Sequence, residues 1–243
     1  MKIKKGYNML NVKTETKKEE LNSDRHSLYS REIASKNELV DKENGLYKLI
    51  PKHKSYRFYV GIFFELKRGL HAVFNELKNS SDNDTLELVI NSHGGLVFEG
   101  KQFYNLIQEN FYGRTTAYLD NIGYSMGALL FCMADKRVVY EYSDFMFHNY
   151  FGGVHGKGGE LKARIKYSAK SLEHFFHDII VKKGFLSQQE FEQMLVGQDY
   201  WMDTKELCKR GIATHVILEG EEITAKEYLK KIKGSKRKKK AKK

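Results

Sequence analysis

The chain has 243 residues, enough for one sizeable core plus extensions, and its 41% hydrophobic content with 15 Tyr and 15 Phe fits a folded domain. No apolar run approaches the roughly 18 residues of a membrane span, so no membrane association is expected. The net charge of +11 is uneven: the last eleven residues, "KGSKRKKKAKK", hold eight Lys or Arg and no acid, leaving +3 for the rest.

Residues 1–50 are polar, rich in Lys, Glu, Asn and Ser, and lack sustained periodicity, which predicts a largely disordered extension. The opening "MKIKKGYNMLNVKTETKKEE" has no apolar core of a secretory signal. The two cysteines, Cys132 and Cys208, sit in helical patterns and read as buried thiols in a reducing compartment, so the cytoplasm is the expected location. After the single proline, Pro51, comes a strand at "YRFYVG". Apolar residues at Phe63, Leu66, Leu70, Val73, Phe74 and Leu77 then have the spacing of an amphipathic helix. Strand "LELVIN", helix "VFEGKQFYNLIQEN", strand "TTAYLD" and a helix opening at Ser125 follow, then the extended segments "KRVVYEY" and "FMFHNY". A glycine-rich loop, "GGVHGKGG", leads into a long helix ending near Gly184. Helix "SQQEFEQMLV", segment "GQDYWMD", helix "TKELCKR" and strand "ATHVIL" complete a domain over 51–222, and 223–243 reads as the helical "AKEYLKKI" followed by a disordered lysine-rich tail. Strands alternating with helices predict a mainly parallel sheet covered by helices, an α/β fold.

Two glycine turns carry the chemistry. In "NIGYSMGALL", Gly123 and Gly127 flank Ser125, so the chain can turn sharply from strand to helix and leave a hydroxyl at a helix N-terminus. The same serine would also serve as an ordinary N-cap. In "LELVINSHGG" a strand ends in two glycines that let backbone N–H groups approach a ligand. Strand ends in an α/β sheet converge on one crevice, which makes Gly94 and Met126 candidate donors of an oxyanion hole.

"LVINSHGG", "GYSMGALLFCMADKRVVYEYSDFMFHNYFGG" and "GQDYWMDTKELCKRGIATHVI", in that order, resemble the proteolytic subunit of the Clp protease over about residues 56 to 218. That family shows an Ile-Asn-Ser-Pro-Gly-Gly turn, a Ser-Met-Gly-Ala helix start and a Met-Ile-His strand before Gly-Gly. The resemblance implies a ClpP/crotonase-like fold, a ββα superhelix with a long handle helix. It implies a serine endopeptidase without cofactor or metal: Ser125 as nucleophile, His148 as general base, Asp199 as its orienting carboxylate, Gly94 and Met126 as oxyanion donors. It further implies a homo-oligomeric ring, a heptamer or double heptamer (tetradecamer), fed with unfolded proteins by an AAA+ unfoldase.

His93 stands where that family has proline, which places an imidazole beside the turn. The family's axial-loop segment and Tyr-rich helix before the first strand have no counterpart here, which bears on docking of the ATPase. His174 and His177, three apart on the long helix, have no evident third metal ligand and read as a solvated face. Other readings stand beside the protease. An α/β-hydrolase would use Ser125, Asp199 and His215 in that order. A phage head-maturation protease would share the fold. A catalytically silent ring scaffold would keep the fold without the chemistry, and the lysine tail is a candidate contact for nucleic acid or an acidic partner.

Overall fold

The computed structural model describes residues 26–33, 37–41, 46–49, 53–61 and 70–240, with side chains described over 53–61 and 70–234. Strands β1 (His26–Ile33), β2 (Asn37–Asp41), β3 (Leu46–Leu49) and β4 (His53–Val60) come first. Helix α1 (Leu70–Lys78), β5 (Thr85–Ser92), α2 (Val97–Asn110), β6 (Thr115–Tyr124) and α3 (Met126–Met133) form the first half of the core. β7 (Lys136–Tyr140), β8 (Asp144–Phe147), α4 (Gly158–Ile180), α5 (Gln188–Leu195) and β9 (Tyr200–Asp203) follow. The chain then runs through α6 (Thr204–Lys209), β10 (His215–Leu218), β11 (Glu221–Thr224) and α7 (Ala225–Lys240).

The main sheet has the order β1-β4-β5-β6-β7-β10-β11. Its centre, β4 through β10, is parallel, and β1 and β11 close the two edges antiparallel. This is the expected α/β fold, consistent with the ClpP/crotonase-like class. β5 shows why: Leu86, Leu88 and Ile90 are fully buried, while the alternate residues remain half-exposed. α1 buries Leu70, Val73, Phe74 and Leu77, the positions its apolar spacing marks, and Phe74 stacks on Phe103 of α2 at 5.6 Å. Phe63 and Leu66, the start of the helix expected there, lie outside the described residues.

All eight residues of α3 are buried, so this short apolar helix is the axis on which the other layers pack. Its carbonyl end is closed by cations: Lys183 Nζ donates to Cys132 O at 2.6 Å and Arg137 to Ala134 O at 2.7 Å. Burial pushes both cations' pKa down, and it pushes the Cys132 thiol up to about 12, which keeps that sulfur protonated.

The sheet forks at β6. Its first half, Thr116–Leu119, pairs with β7, and its last residues, Ile122–Tyr124, pair with β8. β8 in turn pairs antiparallel with β9. The end of β6 stays paired with β5 at Ser92–Gly123 while it also pairs with β8, so Ser125 stands where the main sheet and the β8–β9 branch meet.

The architecture departs from two expectations and adds one strand. The extension expected to be disordered forms β1, paired with β4 over eight residues, and the β2–β3 hairpin; residues 1–25 lie outside the described residues. An edge strand is held through backbone hydrogen bonds and so needs no apolar periodicity. β11 is an added strand, turned back on β10 by Glu219 and Gly220, both at positive φ. The tail expected to be disordered from 233 continues α7 as far as Lys240, for Lys and Arg are good helix formers and only Gly234 opposes them.

Candidate active site

Ser125 stands between β6 and α3 with φ 56° and ψ −123°, a left-handed conformation that costs a non-glycine residue about 1–3 kcal/mol. Its side chain makes no cap hydrogen bond to the helix. A capping serine has extended φ/ψ and bonds a first-turn N–H; Ser125 does neither. The geometry is imposed from both sides. Ser125 N–H donates to Met146 O of β8 at 3.0 Å, and Ser125 O accepts from Leu129 N–H at 3.2 Å. Close approach of the β5–α2 turn completes the constraint: a Cβ on Gly94 (φ +107°) would lie 2.7 Å from Ser125 Cβ and 3.0 Å from Met126 N.

Ser125 and His148 line one pocket of about 260 Å³. Its floor and walls include Leu96, Val97, Leu129, Phe147, Phe176 and Ile180, an apolar surface beside the hydroxyl. The sequence marks none of these wall residues, because each belongs to an ordinary helical or strand pattern until the fold brings α2, α3 and α4 together. Phe151, 99% exposed at the pocket's rim, is the one with a sequence signal, an aromatic residue ahead of a glycine-rich loop.

β8 and β9 relate His148 to Asp199. The last paired residues are Phe147 and Tyr200, so His148 and Asp199 are the next residues on the two strands, one step beyond the ladder. Asp199 is exposed and does not line the pocket. Among the described residues, no hydrogen bond joins Ser125 to His148 or His148 to Asp199. The fold therefore brings the nucleophile and base candidates into one pocket and sets the carboxylate candidate one step beyond the same ladder, with no hydrogen bond between it and His148.

The two oxyanion candidates fare differently. Met126 N is the first amide of α3, a position whose N–H has no intrahelical acceptor, and it faces the Gly94 turn. Gly94 N–H instead donates to the buried Ser92 Oγ at 3.1 Å. Gly95, the next residue, lines the pocket.

The remaining titratable candidates lie elsewhere. His215 sits in β10, separated from β6 by β7, with Nδ1 2.9 Å from Thr214 Oγ1. His174 and His177 approach Asp178 at 3.8 and 4.0 Å, and the bonded Lys182 ammonium holds that carboxyl below its usual range. His93 is exposed beside the turn, its ring 5.5 Å from that of Tyr124.

Strand alternation gives the β8–β9 layer an outer face. Phe145 and Phe147 pack inward at 4.8 Å, so Asp144, Met146 and His148 point the other way. The register sets Trp201 opposite Met146 and Asp203 opposite Asp144, and Tyr124 of β6 lies beside Met146 on the other flank. Trp201 meets Tyr124 edge-on at 5.2 Å. Burial raises the Tyr124 pKa, with the Asp144 charge adding to the effect.

A family model described as Clp protease matches residues 64–220. The ATP-dependent Clp protease proteolytic subunit of Cyanophora paradoxa is 26% identical over 146 residues, an alignment that covers 58% of this chain and 73% of that protein.

Proposed function

Because the chain belongs to the Clp protease family, we propose that it is a serine endopeptidase whose nucleophile is Ser125. The observation that carries the reading is the backbone of Ser125: a strained conformation at a helix start, with the side chain unused as a cap and the residue lining a pocket shared with His148. Ser125 Oγ attacks the scissile carbonyl while His148 takes its proton. The tetrahedral oxyanion is held by the N–H groups of Met126 and Gly95, Gly95 replacing Gly94 because the Gly94 donor is engaged by Ser92. His148 then protonates the leaving amine, and water hydrolyses the acyl-enzyme by the same path reversed. Asp199 orients His148 and stabilises its imidazolium. The apolar walls take an apolar side chain next to the attacked carbonyl.

Catalysis requires His148 to close onto Ser125 and Asp199 onto His148, and hydrogen bonds in unliganded sites tighten in this way when substrate binds. A ring of copies around an enclosed chamber, supplied with unfolded chains by an unfoldase in the cytoplasm, is the setting we propose. A fluorophosphonate probe tests the chemistry. It labels Ser125 covalently, and Ser125→Ala removes both labelling and peptide turnover by several orders of magnitude. The absence of hydrogen bonds within the triad favours a second reading, a silent scaffold, and an assembled wild type that stays unlabelled from pH 6 to pH 9 would establish it.

A further inference from the structure

We propose that the outer face of the β8–β9 layer holds a second substrate subsite, one that takes a lysine or arginine side chain on the leaving-group side of the scissile bond; this rests on the protease reading of Ser125. The face is continuous with the active site. Counting back along β8, His148 with Asp199 forms the catalytic row, Met146 with Trp201 and Tyr124 the next, and Asp144 with Asp203 the third. The apolar pocket takes in Phe147, His148, Tyr150 and Phe151 at the end of β8 but neither Met146 nor Asp144, so the third row lies on the other side of the catalytic row. Four residues of strand separate Asp144 from His148, about 14 Å, the reach of roughly four residues of an extended peptide.

A cavity of about 400 Å³ opens at this third row, its lining including Asp144, Trp201, Asp203, Lys205, Glu206 and Lys209 together with the inward-facing pair Phe145 and Met202. Its charges do not cancel. Glu206 is bound by Lys209 at 2.8 Å and by Arg210 at 3.1 Å, which removes it as an anion available to a ligand. Asp144 and Asp203 are directly opposed on antiparallel strands, an arrangement that repels in the absence of a cation. Asp203 accepts only the Glu206 amide, as the cap of α6 at 2.7 Å, and the Asp144 carboxylate has no hydrogen bond or ion pair among the described residues. Lys205 is the one remaining cation among the described residues lining the cavity, so the acidic pair outweighs it. Trp201, 61% exposed and braced edge-on by Tyr124, adds an aromatic face for the same cation and its methylene stem.

The experiment uses the full-length protein and internally quenched peptides with one apolar residue before the cleaved bond and Lys, Gln or Glu at each of the next five positions. Wild type should cleave the Lys peptide about tenfold faster than the Gln peptide, in kcat/KM and through KM, at one position three to five residues beyond the bond, with the preference fading as salt rises. In Asp144→Asn/Asp203→Asn, which keeps a capping side chain on α6, that ratio should fall to about one. A wild-type ratio near one at every position, or one the double variant leaves intact, overturns the subsite and leaves the protease standing. Trp201 is the single tryptophan of the chain, so its fluorescence reports binding without turnover. In Ser125→Ala protein the Lys peptide should perturb Trp201 and the Glu peptide should not. If no peptide is cleaved by wild type but this charge-dependent response persists, the protease reading falls and the cation site stands.

Discussion

At Ser125 one residue type fits two roles, and backbone geometry speaks against the capping one. A serine at a helix start is by sequence both a cap and a nucleophile; φ 56° with no cap hydrogen bond leaves its hydroxyl to the pocket. The strain is held by contacts that Gly94 allows. Gly94→Ala would place a methyl 2.7 Å from Ser125 Cβ at a φ of +107°, so we expect a loss of about 2 kcal/mol or more in urea unfolding together with loss of fluorophosphonate labelling. A Gly94→Ala protein as stable and as reactive as wild type would show that the turn does not brace the serine. The identity of the orienting carboxylate is tested at the same scale. Asp199→Asn should lower kcat by about three to four orders of magnitude with little change in KM, whereas His215→Ala, two strands away from the pocket, should leave peptide turnover within about twofold. A large loss from His215→Ala would restore the α/β-hydrolase order.

Among the elements, α5 and α6 show how the layer that carries Asp199 and Trp201 is anchored. Ser187 and Glu190 form a capping box at the start of α5, and the Arg210 guanidinium at the end of α6 reaches Glu190 at 2.9 Å. Bonding to Arg210 holds the Glu190 carboxyl down at about 2, below its ordinary 4.5. A carboxyl depressed by folding contributes stability that is present above its unfolded pKa and is lost as pH falls through the folded value. Glu190→Gln should therefore unfold at lower urea than wild type at pH 7, with the gap shrinking below about pH 4.5 and closing near pH 2. A gap that persists at pH 2 would assign the effect to packing. Elements of this kind differ in how far the sequence discloses them. α2 runs over the same residues its pattern marks, because Phe103, Leu106 and Ile107 must face the core whatever surrounds them. β1 escapes such reading because an edge strand is specified by the free edge of β4, a partner distant in sequence. β11 is hidden behind a Glu219–Gly220 turn that lacks the Asn-Gly signature of a tight hairpin. In the candidate site, the motifs single out Ser125 and His148, which line one pocket, but carry no sign that Ser92 Oγ engages Gly94 N–H.

For the whole molecule, the telling feature is the first half of α4. No residue from Gly158 to Ser171 is buried, and Leu172 is the first to reach the core. These fourteen residues extend about 21 Å, fixed to the body near their end by Lys101 Nζ on Ser171 Oγ at 2.9 Å. The exposed half carries Ile165 and Tyr167, 54% and 75% exposed, and the loop leading to it carries Phe151. Apolar side chains on a projecting helix are stable in water when another surface covers them, and a second copy of the chain is the partner that a ring requires. Replacing Ile165 and Tyr167 with Ser should lower the mass in sedimentation while leaving the thermal unfolding of the subunit near wild type, since neither residue packs on its own core. Peptide turnover should fall with the mass, because the loop from His148 to Gly158 joins the proposed base to this helix and would lose its support. The far end of the chain gives the contrasting case. α7 packs through Ala225, Tyr228, Leu229 and Ile232, and Lys233 and Gly234 are exposed, so truncation after Ile232 should leave both mass and turnover unchanged. If the α4 double variant keeps the wild-type mass, the exposed half of α4 serves another contact, and a wild type that is itself an active monomer would exclude the ring.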